Sequence, residues 1–325
     1  MNKTKSTDSF LLPIQDSLAH VEKKMREQTT NYHPDIAAAL QQIFSSGGKR
    51  IRPAVTLLTG GMLKGDPEKL VTLSAAIELL HTATLVHDDL IDGALLRRGN
   101  ATLNAKWSPA ATVLTGDFVF ARAAKLAADT DSVAVMRLFS ETLSLIVNGE
   151  LIQQLSSRGL ATWADYEQRI YAKTASMFEL STSAAALLSP VSSAVVGRMR
   201  AFGYSIGMAF QIIDDVIDFT GDASSVGKPV AADLRQGLIT LPALLFFESF
   251  PQNHEMSELI NRGEISEGGF ESLVRSIRNS DAISQSIEKA GFFVERSLKI
   301  LKDMPDTMER AALAELANYI IDRDL

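Results

Sequence analysis

The order of apolar and polar residues along this chain predicts helices almost everywhere. Apolar side chains recur every three or four residues, the spacing that places them on one face of an α-helix, whereas strict strand-like alternation is nearly absent. Breaks fall at Gly47-Gly48, Gly99-Asn100, Ser108-Pro109, Ser189-Pro190 and the segment 221–227. The pattern therefore predicts an all-α fold.

Residues typical of helix starts help to place the predicted elements. Asp66 followed by Pro67 resembles an N-cap with proline at the first helical position, and it opens a helix that ends near residue 92. Thr162 and Asp165 have the spacing of a capping box and open a helix that ends near residue 188. Further helices are predicted over residues 9–28, 35–46, 51–63, 109–128, 131–156, 191–219, 236–249, 254–262, 267–278, 281–302 and 306–323.

Composition narrows the class of protein. The 325 residues contain no fixed-period repeat and no Pro-, Gly- or Ser-rich linker, so we predict one large domain over residues 1–325, with the polar residues 1–9 disordered. The absence of cysteine excludes disulfides, thiolate zinc sites and a cysteine nucleophile. A net charge of −7 argues against a nucleic-acid partner. No apolar run reaches the roughly 18 residues that span a bilayer, and no secretion signal opens the chain, so we expect a cytoplasmic protein without a transmembrane segment.

The strongest chemical pattern is D-D-x-x-D, which occurs at residues 88–92 and again at 214–218, each time in a strongly apolar helix. At about 100° per residue, the first and last Asp of each cluster point the same way. One such cluster would be an ordinary solvated helix face, but two clusters beside core-like sequence need a compensating cation. Oxygen ligands suit Mg²⁺, which shares its coordination with water and phosphate. The pattern therefore suggests a phosphate-bearing substrate between two helices.

Basic residues agree with a phosphate-bearing substrate. Residues 49–53 carry three cations after a Gly-Gly break at a predicted helix start, where exposed amides and the helix dipole favour an anion. Arg97-Arg98 follows the first Asp cluster, Lys173 lies within a predicted helix, and Lys228 follows the second cluster. Each alone is typical of a solvated surface, but together, in an acidic chain, they indicate an arranged pocket.

Other catalytic motifs fit this sequence less well. No G-x-x-x-x-G-K-[ST] occurs, so a P-loop kinase or ATPase is not supported. The spacing of the Asp residues does not match an EF-hand loop. Glu78 and His81 match one half of the Glu-x-x-His pair of di-iron bundles, but the sequence contains no second copy.

Together these motifs resemble the trans-isoprenyl diphosphate synthase family, and within it the medium- and long-chain polyprenyl members. The matching segments come in family order: GGKRIRP at 47–53, ELLHTATLVHDDLID at 78–92, LRRG at 96–99, GD at 116–117, GELIQQ at 149–154, KTASMF at 173–178, GMAFQIIDDVIDF at 207–219 and GKPVAADLRQGLITLP at 227–242. The resemblance implies a single helical bundle of the isoprenoid synthase type with a central cavity, and a homodimer. It implies a prenyltransferase that condenses isopentenyl diphosphate head-to-tail with an allylic diphosphate.

The resemblance also implies roles for individual residues. The leading ligands of three Mg²⁺ ions would be Asp88, Asp92 and Asp214, supported by Asp89 and Asp218. The residues holding the allylic diphosphate would be Arg97, Lys173 and Lys228, with Gln211 and Thr174 nearby. The residues holding isopentenyl diphosphate would be Lys49, Arg52, His81 and Arg98. The loop 221–237 would close over the site, and Leu238 stands where many short-chain members have a second Lys.

Product length depends on the residues one turn before Asp88. Ala83 and Thr84 are small, whereas bulky aromatic residues at these positions stop growth early in the family. A helix rises about 5.4 Å per turn, comparable to one isoprene unit, so each turn that the growing chain passes admits about one further addition. We therefore expect a product that has at least about twenty carbons and that extends beyond this minimum.

Four alternatives to this interpretation remain. They are a shorter-chain farnesyl or geranylgeranyl synthase, a class I terpene cyclase, a non-catalytic subunit of a heteromeric synthase, and a plain structural bundle. A cyclase usually lacks the second Asp cluster, and non-catalytic subunits tend to lose both. The structural bundle leaves the paired clusters unexplained.

Overall fold

A computed structural model of the chain describes residues 9–30, 34–45, 49–97, 99–155, 162–221, 230–263 and 265–323. Over these ranges the backbone is helical almost throughout, which confirms the predicted all-α class. Of the segment expected to be disordered, residues 1–8 lie outside the described ranges, whereas Ser9 begins a 3₁₀ helix, Ser9–Ile14.

The helices follow one another along the chain with short connections. They are α1 (Gln15–Glu27), α2 (Pro34–Ser45), α3 (Ile51–Met62), α4 (Pro67–Ile91), α5 (Pro109–Ala128), α6 (Val133–Leu155), α7 (Trp163–Ile170), α8 (Ser176–Leu187), α9 (Ser193–Thr220), α10 (Ala232–Arg235), α11 (Leu241–Ser249), α12 (His254–Arg262), α13 (Glu267–Arg278), α14 (Ala282–Lys302) and α15 (Met308–Asp322). A π-helical turn, Tyr171–Ala175, joins α7 to α8.

The contacts divide the chain into two compact units. The first consists of Met1–Ser144, Met177–Gly203 and Ile300–Leu316, and the second of Leu145–Ser176, Tyr204–Lys299 and Ala317–Leu325. The first Asp cluster belongs to the first unit and the second cluster to the second unit. A single domain over residues 1–325 stays a prediction.

Most predicted helix ends agree with the structure within three residues, and two segments differ. The helix predicted over 236–249 is wrong in its first turn: α10 ends at Arg235, and α11 begins only at Leu241. Gly237 between them has φ +82°, a conformation that ends a helix, and proline near the start of α11 suits a new first turn. The second difference is a small antiparallel ladder of β1 (Leu96–Arg97) and β2 (Asn100–Ala101).

The predicted caps form as expected. Asp66 Oδ1 accepts hydrogen bonds from the backbone N–H groups of Glu68 at 2.9 Å and Lys69 at 3.0 Å. Thr162 and Asp165 exchange the two bonds of a capping box, at 2.9 and 3.2 Å. Each cap satisfies amides that the first helical turn leaves unpaired, so these helix starts are determined locally by sequence.

Helix α4 runs through the core of the first unit. Leu73, Ile77 and Leu79 have no exposed surface. Within the described residues, α4 is the one helix long and apolar enough to cross a membrane, with a mean hydropathy of 1.4. The sequence pattern had not predicted a run of this length. Since 78% of that stretch is buried inside the protein, its apolar character on all sides is that of a core helix.

One cation of the segment 49–53 anchors α3 to its neighbours. Arg50, at the N-cap of α3, donates from Nε to Glu22 at 2.6 Å, from Nη1 to Glu78 at 2.8 Å and from Nη2 to the Phe44 carbonyl at 2.9 Å. Glu78 is buried, so its charge needs this guanidinium. The Glu-x-x-His match to di-iron bundles therefore has a structural explanation, because its glutamate forms an internal ion pair.

We predict that Arg50→Ala lowers the free energy of unfolding by about 3 kcal/mol, because it leaves the Glu78 carboxylate buried without its cation. The matched control is Arg26→Ala. The Arg26 side chain is 71% exposed and lies 3.5 Å from Glu22, so its removal should cost less than about 1 kcal/mol. Urea unfolding followed by circular dichroism measures both. Equal losses would contradict a buried ion pair at Arg50.

Candidate active site

The first Asp cluster ends helix α4. Asp88 is half-buried, and Asp92 is exposed at the C-cap, where its N–H donates to the Asp88 carbonyl at 2.8 Å. Helical spacing therefore gives these two predicted metal ligands access to solvent on one side of the helix end.

The middle carboxylate of this cluster faces another predicted site residue. Asp89 is only 7% exposed, and its Oδ1 accepts a hydrogen bond from Arg97 Nε at 2.7 Å. Arg97 lies on β1, and the left-handed turn at Gly99 returns the chain to β2. The structure thus pairs a predicted supporting metal ligand with a predicted diphosphate-binding cation. Arg98 lies outside the described residues.

The predicted chain-length residues differ in exposure. Ala83 has no exposed surface, whereas Thr84 is half-buried and donates from Oγ1 to the carbonyl of His81 at 2.7 Å. His81 is itself half-buried. Of the two small residues before Asp88, Thr84 is the one that is partly exposed.

The remaining cations of segment 49–53 do not share the role of Arg50. Lys49 is exposed immediately before α3. Arg52 is half-buried, and its guanidinium carbon lies 5.1 Å from the ring centroid of the buried Phe178, a cation–π contact. The aromatic ring limits where the Arg52 side chain can point, while the Lys49 side chain is exposed.

In the second unit, two predicted residues lie on the π-helical turn between α7 and α8. Lys173 Nζ is 3.3 Å from Glu150 Oε1 on α6, and Thr174 Oγ1 donates to Gln211 Oε1 on α9 at 2.6 Å. π-Helical turns are rare and occur frequently at functional sites. The turn brings a cation and a hydroxyl to the helix that carries the second Asp cluster.

Two glycines allow this turn to pack closely. A Cβ atom on Gly149 would lie 2.7 Å from Ala172 Cβ, and one on Gly207 would lie 2.5 Å from Ala175 Cα. Both distances are shorter than any normal carbon–carbon contact. Helices α6 and α9 therefore approach the turn so closely that only glycine fits at these two positions.

The first and last carboxylates of the second cluster accept hydrogen bonds from different parts of the protein. Asp214 is half-buried and accepts a hydrogen bond from Arg323 Nη2 at 2.5 Å. Asp218 accepts from the backbone N–H groups of Ala232 at 3.1 Å and Asp233 at 3.3 Å, which fixes the start of α10.

The predicted Lys228 and residues 222–229 of the expected closing loop lie outside the described residues.

Asp215 is the buried carboxylate of the second cluster, with 3% exposure. Burial raises its pKa to about 7; the nearby Asp233 carboxylate acts in the same direction, and hydrogen bonds from Gln211 and Tyr166 oppose the shift. Tyr166 OH donates to Oδ2 at 2.7 Å and Gln211 Nε2 donates to Oδ1 at 2.8 Å. These donors stabilise the ionised form inside the protein.

Within the described ranges, no group of three or more His, Asp or Glu side chains could by itself hold a metal ion.

Two contacts were not anticipated from the sequence. Arg323 donates to Asp214 and to the Phe210 carbonyl at 2.8 Å, and its guanidinium carbon lies 3.8 Å from the Phe210 ring centroid. Tyr166 contacts Asp215 across 49 positions of sequence. Neither residue belongs to a motif, and only the tertiary fold brings them to the second cluster.

The fold and these motifs define a class of all-α protein with acidic and basic groups suited to a diphosphate. The sequence matches the Polyprenyl synthetase family over residues 33–277. It is 35% identical over 319 residues to the all-trans-nonaprenyl-diphosphate synthase (geranyl-diphosphate specific) of Rhodobacter capsulatus, covering 97% of each chain. It is 34% identical over 324 residues to the heptaprenyl diphosphate synthase component 2 of Geobacillus stearothermophilus, covering 99% of each chain.

The fold of this chain is also similar to that of a solved structure. The polyprenyl synthase of Caulobacter crescentus, complexed with calcium and isoprenyl diphosphate, has a TM-score of 0.93 and 32% identity, and each chain is covered completely. This chain belongs to the polyprenyl synthetase family. The predicted enzyme class, a trans-polyprenyl diphosphate synthase, is thereby confirmed.

We predict that Gly207→Ala lowers turnover by up to about 100-fold, because the added methyl group must displace the backbone at Ala175 and with it Lys173 and Thr174. Gly197→Ala is the matched control in the same helix, since a Cβ there meets nothing within 4 Å and should stabilise the helix by up to about 1 kcal/mol. Steady-state kinetics and thermal unfolding measure both. Equal turnover in the two variants would contradict a role for this close approach.

Proposed function

We propose that this synthase condenses isopentenyl diphosphate with an allylic diphosphate, using both Asp clusters, Lys173, Thr174 and Gln211. The observation that carries the assignment is the hydrogen bond from Thr174 to Gln211, which ties the lysine-bearing turn to the helix of the second Asp cluster. Cation, hydroxyl, amide and carboxylates thus occur together within one compact unit. This is the donor set that an allylic diphosphate and its counter-ions need.

The reaction follows from charge. The carbon–oxygen bond of the allylic diphosphate breaks, and its electron pair leaves with the diphosphate, so negative charge grows on the leaving oxygens. Lys173 and Arg97 are proposed to stabilise that charge through preorganised N–H donors. The double bond of isopentenyl diphosphate then attacks the allylic cation, and loss of a proton forms the new double bond. We propose that the released diphosphate accepts this proton.

We propose Mg²⁺ as the metal, held by Asp88, Asp92 and Asp214, with three ions when both substrates are bound. When bound, Mg²⁺ would neutralise charge that develops on the leaving diphosphate. The surroundings of the first cluster support this division, since Asp88 and Asp92 retain access to solvent while Asp89 accepts a hydrogen bond from Arg97.

The second substrate is assigned to the first unit. We propose that Lys49, Arg52, His81 and Arg98 hold isopentenyl diphosphate, supported by the exposure of Lys49 and the orientation of Arg52 over Phe178. Lys228 is proposed to hold the allylic diphosphate from the loop 221–237, as the resemblance implies.

We propose that the protein forms a homodimer. We also propose that it is located in the cytoplasm. Helix α6 exposes Val147, Leu151 and Leu155 at four-residue spacing, an apolar stripe suited to a second copy. The name of the Geobacillus relative, component 2, supports a second candidate assembly, in which this chain works with a different partner chain. The mass of the purified protein and its activity without added protein distinguish these assemblies.

We predict that Asp88→Ala and Asp214→Ala each lower turnover by several orders of magnitude while the helical circular dichroism signal is retained, because each removes a ligand of an ion that stabilises the leaving group. Chelation of Mg²⁺ should abolish turnover in the same way. Asp16→Ala is the matched control, an exposed aspartate of helix α1 outside both clusters and outside the matching segments. Near-normal turnover of either cluster variant would overturn the assignment.

We predict a polyprenyl product of at least about twenty carbons, and a shorter product from Thr84→Phe, because a ring at this partly exposed position, one turn from Asp88, would block the growing chain. Ala83→Phe should shorten the product as well, but it overpacks a residue with no exposed surface and should cost about 1–3 kcal/mol of stability. Chromatography of labelled products measures chain length. An unchanged product from Thr84→Phe would contradict this gate without affecting the enzyme class.

A further inference from the structure

Four side chains of the second unit form a continuous hydrogen-bonded chain. Thr174 Oγ1 donates to Gln211 Oε1 at 2.6 Å, Gln211 Nε2 donates to Asp215 Oδ1 at 2.8 Å, and Tyr166 OH donates to Asp215 Oδ2 at 2.7 Å. Three elements contribute, namely α7, the π-helical turn and α9. The chain begins at a proposed diphosphate-binding residue and ends at a tyrosine that the proposed reaction does not use.

Burial makes these bonds obligatory. Tyr166 has no exposed surface and Asp215 is 3% exposed, so neither group can exchange its partner for solvent. Burial raises the pKa of Tyr166 well above its ordinary value, with the Asp215 carboxylate acting in the same direction, which keeps the phenol protonated. An unpaired polar group in this place would cost more than the hydrogen bond contributes.

The carboxylate also sets the direction of every bond in the chain. Both oxygens of Asp215 accept, one from Tyr166 OH and one from Gln211 Nε2, and an amide nitrogen can only donate. The Gln211 amide therefore turns its carbonyl toward Thr174, whose hydroxyl must donate to it. The group left to donate to an anionic ligand is the second N–H of Gln211, because the single O–H of Thr174 is already donated to the Gln211 carbonyl.

The tyrosine itself is held firmly. Its ring packs against Trp163 with centroids 5.7 Å apart, and the Arg169 guanidinium carbon lies 5.5 Å from its centroid. Arg169 is fixed in turn, because its Nη2 donates to the Ile239 carbonyl at 2.6 Å. The hydroxyl therefore meets Asp215 from a rigid ring.

We infer that Tyr166 is a positioning residue, which acts through Asp215 to hold the Gln211 amide in the orientation that binds the allylic diphosphate, while the Thr174 hydroxyl holds the other side of the same amide. This inference rests on the proposed roles of Gln211 and Thr174. Tyr166 makes no contact with substrate in this scheme. Its loss frees one oxygen of Asp215, so that the Gln211 amide can rotate and no longer presents its second N–H in a fixed direction.

The chain offers a matched control for this tyrosine. Tyr204 OH donates to Glu167 Oε1 at 2.8 Å, also within the second unit, so Tyr204→Phe likewise removes one phenol–carboxylate hydrogen bond. The described contacts of Glu167 do not include Gln211 or Thr174. Any effect of merely losing such a bond is therefore shared by the two variants, while an effect transmitted to Gln211 belongs to Tyr166→Phe alone.

The experiment measures KM for both substrates in purified full-length protein with Mg²⁺. Tyr166→Phe should raise KM for the allylic diphosphate about tenfold, as expected for loss of a hydrogen bond to a charged group, and leave KM for isopentenyl diphosphate within about twofold. Tyr204→Phe should leave both values within about twofold. An unchanged allylic KM in Tyr166→Phe, or an equal rise for both substrates, would overturn the inference.

A double-mutant cycle tests whether the effect passes through Gln211. In a Gln211→Ala background, Tyr166→Phe should raise the allylic KM no further, because the residue it positions is gone. Multiplying effects would show that Tyr166 acts by another route, and the inference would fail while the proposed function stands. If Gln211→Ala and Thr174→Ala leave the allylic KM unchanged, the proposed roles of these residues are wrong, and the inference falls with them.

Asp215→Asn provides a second variant should Tyr166→Phe not fold. Tyr166 and Gln211 donate to different oxygens of Asp215, and Asn replaces one of these oxygens with an NH2 group, so only one of the two donors keeps an acceptor at its present position. The same selective rise in the allylic KM is expected. Unchanged KM values in Asp215→Asn would overturn the inference independently of Tyr166.

Discussion

A carboxylate on a helix with a buried face needs a donor or a cation, and this requirement organises both Asp clusters. The second position of each cluster is the buried one: Asp89 pairs with Arg97, and Asp215 accepts from Tyr166 and Gln211. The first position, about 100° away around each helix, is half-buried in both clusters. The D-D-x-x-D spacing thus combines a buried, hydrogen-bonded carboxylate with a more exposed one that can bind a ligand.

The cations of the first unit show the same separation of tasks. Arg50 donates hydrogen bonds to two glutamates and a carbonyl. Its neighbours do not share these contacts, since Lys49 is exposed and Arg52 lies over the Phe178 ring. A guanidinium suits the first task, since it offers several N–H donors in fixed directions and stays charged when buried. A short basic segment therefore contains both the anchor of α3 and the groups proposed to meet a diphosphate.

Local signals in the sequence account for most of the fold. Caps such as Asp66 and Thr162 and the helical periodicity placed most helix ends correctly, because both act within one turn of backbone. The helix predicted over 236–249 was wrong because apolar spacing outweighed the turn at Gly237. The motifs indicated the family, but the partners Tyr166 and Arg323 could not be predicted, since each contact joins residues at least 49 positions apart.

The π-helical turn explains why adjacent residues can serve different purposes. Lys173 keeps an accessible ammonium near Glu150, while the next side chain, Thr174, is buried against Gln211. A π-helical turn has poorer backbone geometry than an α-helix and persists only where the surroundings stabilise it. Here the side-chain bond to Gln211 and the close backbone approaches at Gly149 and Gly207 supply that support. The geometry of the proposed diphosphate site thus depends on residues that carry no reactive group.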